Sequence, residues 1–347
     1  MSTDEALASL GWRPHFQAQV DPEDERSPAR VMTVHRGRVE VALETGSASI
    51  ELHGRSAGMG LTVGDWVLLD ADHAQITERL EPFGQFQRRA AGTGGEIQSI
   101  AANVDTLFIV TSANRDFNVA RLERYLAIAH DAGAFPIIVI TKADLTDSLQ
   151  DYAEPASKLS PGILVEALDA RDPEQIAVLS TWCEEGQTVA LLGSSGVGKS
   201  TIINTLSGSE QHTQQARDDD QRGRHTTTSR SMHKLEQGGW LIDTPGMREL
   251  QLVDIGDALD DVFSDVAGFA EGCRFADCDH ESEPGCSVQA AIADDKLDPD
   301  RLRRYRKLQS EDRRNTETLA ERRSRDKSLG KFYKSVISDK KNRKGGT

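Results

Sequence analysis

Long apolar runs, aromatic side chains and cysteines are all scarce in this 347-residue sequence. No stretch approaches the roughly 20 consecutive apolar residues that a membrane-spanning helix needs, so such a span is excluded. The opening Met1-Ser2-Thr3-Asp4-Glu5 is acidic and lacks the basic-then-apolar pattern of a secretion leader, and a cytoplasmic address is expected. Aromatics make up 5% and apolar residues 37%, the profile of a soluble protein with generous loops and tails. Of the four cysteines, Cys273, Cys278 and Cys286 fall within fourteen residues that they share with His280. In a cytoplasmic chain such clustering points to a metal rather than to disulfides. Cys183, beside Trp182, reads as a buried thiol.

Charge is unevenly spread. The net charge is -15, yet residues 301–347 hold 17 basic against 6 acidic side chains, leaving 24 against 50 in the first 300. A basic block at one end of an acidic protein is the footprint of contact with a polyanion. The acidic body opposes that contact, so binding to RNA should be local.

The length admits two or three domains, and the pattern along the chain divides it further. Residues 1–28 are polar and read as a flexible arm. Residues 29–90 alternate with a period of two, as in Val39, Val41, Leu43, Ile50 and Leu52, which predicts a small closed barrel of the oligonucleotide-binding (OB) type. The Gly-, Arg- and Gln-rich stretch 85–98 reads as a linker. Residues 91–266 then alternate strands with helices: strands over 104–110, 135–140, 163–165, 188–192 and 240–242, and a helix over 119–132. That rhythm predicts a parallel sheet covered on both faces. Residues 267–310 carry the Cys/His cluster and a helix announced by Asp298-Pro299, an N-cap followed by proline at the first helical position. Residues 311–347 form a basic tail. The expected fold is therefore multidomain α/β.

The sharpest motif is Gly193-Ser194-Ser195-Gly196-Val197-Gly198-Lys199-Ser200, which satisfies G-x-x-x-x-G-K-[ST] between an apolar strand and a helical run beginning at Thr201. The glycines let backbone N–H groups curl around phosphates at a helix N-terminus. Lys199 is placed to bridge β and γ phosphates, and the Ser200 hydroxyl to ligate magnesium. Asp243-Thr244-Pro245-Gly246 ends a strand downstream, where Asp243 can serve magnesium through water and the Gly246 N–H can meet the γ phosphate. Thr141-Lys142-Ala143-Asp144 resembles the guanine reader N-K-x-D: Asp144 accepts from the ring N–H and the exocyclic amine of guanine, and the Lys142 stem stacks on the base. In the polar stretch 211–230, Thr227 is the candidate to complete the magnesium shell and His225 the candidate to accept a proton from the attacking water. Met247 stands where a Ras-like glutamine would orient that water, so slow, partner-dependent hydrolysis is expected. The guanine reader precedes the phosphate loop, so these parts surround one site only if the domain is circularly permuted. Cys273-x4-Cys278-x-His280-x5-Cys286 offers three thiolates and an imidazole, the donor set of a closed structural zinc site.

The permuted order, the loop Gly223-Arg224-His225-Thr226-Thr227-Thr228, the barrel before and the Cys/His knot after resemble the bacterial small-ribosomal-subunit-dependent GTPase A family (RsgA, also called YjeQ) over about 29–308. The resemblance implies a GTPase stimulated by the small ribosomal subunit and active in its late maturation. The expected ligands are GTP or GDP, Mg2+ and one structural Zn2+; the expected partner is the small subunit with its rRNA, met by a monomer with no membrane contact. The segment Glu166-Ala167-Leu168 aligns with the family's second base-contacting loop but matches it poorly. Two other readings use the same loop: a non-enzymatic RNA-binding module with nucleotide as structural ligand, and an ATPase or small-molecule kinase indifferent to Asp144→Asn.

Overall fold

The computed structural model describes residues 3–89, 97–208, 230–243, 250, 252 and 255–316. Two short helices open the chain, α1 (Thr3–Ser9) and α2 (Pro14–Gln17). Strands β1 (Ser27–His35), β2 (Arg38–Leu43), β3 (Gly46–Glu51), β4 (Trp66–Leu69) and β5 (Ile76–Arg79) follow. They run in the order β3-β2-β1-β4-β5, all antiparallel, and curl around Val31, Val39, Val41, Ile50, Val67 and Leu69. Among the described residues no hydrogen-bonded pair joins β3 to β5.

The expected flexible arm is instead packed. Leu7, Leu10 and Phe16 are buried against Trp66, Leu68 and Leu80, and the Trp12 ring meets Trp66 edge-on at 4.8 Å. Four large apolar side chains suffice to dock two helices too short to be stable alone. The described ends of the expected linker are strands: β6 (Gln85–Arg89) pairs with β7 (Ile97–Ala102), and Phe86 of β6 is buried.

The next described elements form a second, strand-and-helix layer: β8 (Thr106–Ser112), α3 (Val119–Asp131), β9 (Phe135–Thr141), α4 (Gln150–Ser157), β10 (Leu164–Ala167), α5 (Pro173–Ile176), β11 (Thr188–Leu192), α6 (Lys199–Leu206), β12 (Arg230–Lys234) and β13 (Trp240–Asp243). Strands β10, β9, β8, β11 and β13 are parallel neighbours in that order, and β12 adds antiparallel to β13. Such strands are covered on both faces, which is why β8, β9 and β11 read as unbroken apolar runs. Helix α3 begins where the Asn118 side chain accepts from the Arg121 N–H at 2.9 Å, and it buries Leu122, Leu126, Ala127 and Ala129.

Helices α7 (Gly256–Val262), α8 (Ser264–Ala270), α9 (Ser287–Ala293) and α10 (Pro299–Thr316) complete the described residues. The expected boundary at 266/267 falls inside α8, and the core does not divide there. Leu259, Val262, Cys286, Val288, Leu302 and Tyr305 share one apolar cluster with Leu122 and Leu126 of α3. The β layer is joined as well, since β12 pairs with β1 through Ser231↔Thr33 and Arg230↔Val34. One sheet therefore runs through both N-terminal regions.

Candidate functional site: a phosphate loop, a base-reading loop and a Cys/His cluster

The phosphate loop leaves β11 at the carboxyl end of the sheet, between β8 and β13, and enters α6. Glycine is obligatory at its first position: a Cβ on Gly193 would lie 2.2 Å from the Val110 carbonyl oxygen. Gly198 caps α6 with φ +98, a left-handed conformation that side chains resist. Lys199 Nζ donates to the Gly193 carbonyl at 2.7 Å and also reaches that of Ser194, so the ammonium lies folded over the loop. Arg121, from the first turn of α3, donates to the Ser194 hydroxyl and pairs with Asp116 at 3.1 Å.

The base-reading segment packs directly on this loop. Thr141, fully buried at the end of β9, has its hydroxyl 2.5 Å from the Val197 carbonyl and 3.0 Å from that of Thr111. Threonine here ties the two loops together with a hydroxyl, so the departure from asparagine keeps a link between them. Lys142 follows with φ +60 and donates from Nζ to the Gly196 carbonyl at 2.8 Å. Asp144 lies on the succeeding turn with its carboxylate bonded at 2.7 Å by Arg171. The 166–168 segment runs alongside, where the Leu168 carbonyl accepts from the Ala143 N–H at 3.3 Å. Thr141, Lys142, Gly196 and Val197, distant in sequence, thus form one constellation. Arg121, bound to Ser194, and Arg171, bound to Asp144, flank it and carry no motif signal.

Asp243 ends β13, adjacent and parallel to β11, and Ser200 lies in the first turn of α6. A hydroxyl and a carboxylate on neighbouring elements are hard oxygen donors that suit magnesium held jointly with phosphates. His225, Thr227 and Gly246 lie outside the described residues.

Cys273, Cys278, His280 and Cys286 converge, with one donor atom from each lying within 4.8 Å of all the others. His280 Nδ1 is 3.6 Å from Cys273 Sγ and 3.5 Å from Cys286 Sγ, and the two sulfurs are 3.9 Å apart. A tetrahedral zinc with bonds of about 2.0–2.3 Å requires edges of roughly 3.5–3.8 Å, so the donor set fits that ion. Surrounding contacts fix the donors: Cys286 caps α9 and accepts from the Gln289 N–H at 3.5 Å, and the Gln289 side chain donates to the His280 carbonyl at 2.6 Å. Cys183 stands apart, a buried thiol pushed up to about 12 by burial and hydrogen-bonded to the Leu179 carbonyl.

Comparison with known proteins agrees with this geometry. A family model described as RsgA GTPase matches residues 80–253. The chain is 48% identical over 346 residues to small ribosomal subunit biogenesis GTPase RsgA 2 of Vibrio parahaemolyticus, covering 99% of this chain and 96% of that protein. It is 47% identical over 316 residues to small ribosomal subunit biogenesis GTPase RsgA of Mesorhizobium japonicum, covering 90% and 91%. Among solved structures, YjeQ from Thermotoga maritima superposes with a TM-score of 0.62 at 24% identity, covering 82% of this chain and 97% of that one. YloQ, described as a circularly permuted GTPase, superposes with a TM-score of 0.60 at 22% identity, covering 86% and 100%. At such identities the structures speak for the fold alone, and that fold is the permuted one inferred from the order of the motifs. The chain belongs to the RsgA GTPase family, and it is an enzyme that hydrolyses GTP.

Proposed function

We propose that this GTPase is a late maturation factor of the small ribosomal subunit, which binds rRNA in its GTP state, is stimulated by the subunit, and leaves after hydrolysis. The observation that carries this reading is the near-full-length identity of 48% to a relative named for small-subunit biogenesis. The basic C-terminal block supports it as the element that meets rRNA phosphates. The curled strands β1–β5 serve in this reading as an OB-type module facing RNA.

At the nucleotide site, Gly193, Ser194, Ser195, Gly196, Val197 and Gly198 offer backbone N–H groups to the phosphates, and Lys199 adds its charge. Ser200, Asp243 and Thr227 are the magnesium side chains; the ion supplies neutralisation of charge on the β and γ oxygens. Thr141, Lys142 and Asp144 recognise guanine, and the Gly246 N–H senses the γ phosphate. His225 accepts a proton from the attacking water, and Cys273, Cys278, His280 and Cys286 hold zinc as a structural staple. No helix among the described residues is long and apolar enough to cross a membrane.

The test is GTP turnover with and without purified small subunits. Wild type should be slow alone and accelerated by subunits, and His225→Ala should lose about 10²-fold or more of the accelerated rate, the lower bound for a general base. A rate indifferent to subunits refutes the proposal.

A further inference from the structure

Beside the base-reading carboxylate the structure holds a cation that no motif announces. Arg171 lies in the loop after β10. Its Nε donates to Asp169 Oδ1 at 3.0 Å and its Nη2 to Asp169 Oδ2 at 2.9 Å, a two-pronged pairing that fixes the guanidinium plane. Its own backbone N–H donates to Asp169 Oδ1 at 3.0 Å, and the Asp169 N–H donates in turn to the Gln175 side chain at 2.9 Å. Held in this way, Nη2 also reaches Asp144 Oδ2 at 2.7 Å. Nη1 donates to none of the described residues. The Arg171 side chain is 68% exposed, so a ligand at Asp144 can approach it.

The chemistry of the two purines makes this pairing informative. The guanine edge presents an acceptor, O6, beside two donors, N1–H and the 2-amino group. The adenine edge presents a donor, the 6-amino group, beside an acceptor, N1. A carboxylate with a guanidinium at its side is an acceptor next to a donor, and so complements guanine. Set against adenine, the same pair opposes N–H to N–H and carboxylate to lone pair. Arginine is also the side chain that most often reads guanine O6 in nucleic acids, because its planar fork delivers several aligned donors.

We propose that Arg171 is a specificity-determining residue that donates to guanine O6 while Asp144 accepts from N1–H and the 2-amino group. The inference rests on the assignment of Asp144 as base reader made above. It also gives the poorly matched second base loop a function. The loop contributes Arg171, a few residues beyond 166–168, and the Asp169 fork keeps that side chain in place.

Calorimetric titration with three diphosphates tests it. GDP carries all three groups; 6-thio-GDP keeps both donors but replaces O6 with a weakly accepting sulfur; IDP keeps O6 and N1–H but lacks the amine. Wild type should bind 6-thio-GDP about tenfold more weakly than GDP, the low end for a hydrogen bond to a charged group. Arg171→Ala should bind GDP and 6-thio-GDP equally, at the wild-type level for 6-thio-GDP, and should still discriminate against IDP. Unchanged GDP affinity in Arg171→Ala, or an equal loss for both nucleotides, overturns the assignment. Asp144→Asn separates the two layers, because it should transfer preference from GDP to XDP, whose 2-oxo group suits an amide. If it does so while Arg171→Ala keeps the wild-type ratio of GDP to 6-thio-GDP, only Arg171 is misassigned. If it does not, Asp144 is not the base reader.

Discussion

On one side of the GTPase layer β12 continues into β1 through backbone hydrogen bonds, whereas on the other side α3 meets α10 through buried charge. The N-terminal junction contains one deeply buried cation, Arg30, whose guanidinium donates to the Leu10 carbonyl, the Asn103 carbonyl at 3.2 Å and the Thr188 hydroxyl at 2.8 Å. All three are neutral oxygens, and burial pulls the Arg30 pKa down to about 10. At the C-terminal junction Glu123, fully buried, takes Arg301 at 2.8 Å and Arg304 at 2.8 Å. Arg301 also donates to Asp265 and to the Leu159 and Val262 carbonyls. The backbone pairing of β12 with β1 does not depend on any one side chain, while the buried charge cluster at the C-terminal junction depends on every member. The conditional junction is also the one that gathers the described residues downstream of β13. Arg124 donates to the Leu250 carbonyl, Asn315 to that of Leu252, and the Ile255 N–H to Asp312. Residues downstream of Asp243 are therefore tied to α10 and to the start of the basic tail.

The largest expected break in this contrast comes from the zinc proposed at the Cys/His cluster, since such a metal is worth on the order of 10 kcal/mol in small zinc modules. Chelation, or Cys286→Ser, should strip hydrogen-exchange protection from α9 and α10 while the amides of β1 and β12 keep theirs. Uniform loss across both junctions would show that they are one cooperative unit. Next in size is Glu123→Ala, which leaves Arg301 buried beside a missing partner and should lower stability by about 3–5 kcal/mol in denaturant titration. A loss under 1 kcal/mol would mean that the cluster contributes little.

Much of this arrangement was readable in the sequence where one signal was strong and local. The phosphate loop, the apolar strands β8, β9 and β11, and the amphipathic α3 each announce themselves within a dozen residues. The N-terminal helices did not, because Leu7, Leu10, Trp12 and Phe16 are diluted among polar neighbours and acquire meaning only against Trp66. Glu123 carries no local signal of burial, because its partners lie about 180 residues away. Thr141 departs from the N-K-x-D pattern, and only the fold places its hydroxyl between the Thr111 and Val197 carbonyls. Pairings at such separation leave no periodicity to read.

The smallest and most local effect sharpens the N-terminal side. Burial pushes the Asp65 carboxyl up to about 6 from 3.8, although Arg79 at 2.9 Å and the Thr62 N–H at 2.7 Å favour its charged form. A folded-state pKa above the unfolded one means that folding takes up a proton between these values, so stability falls as pH rises from about 4 to 6. Asp65→Asn should remove that slope and exceed wild type at pH 7.5 by at most about 3 kcal/mol, with little difference at pH 3.5. Denaturation curves at the two pH values decide it; a difference independent of pH would discard the account.

The pairing of β12 with β1 has a consequence for solubility. Within the GTPase layer, as far as the described residues go, β12 is one of two edge strands, β10 being the other, and left bare it would present open N–H and C=O groups to other molecules, the template for edge-to-edge aggregation. Strand β1 pairs with it from within the same chain, so the module that precedes the enzyme also closes that edge of the enzyme's sheet to a stranger.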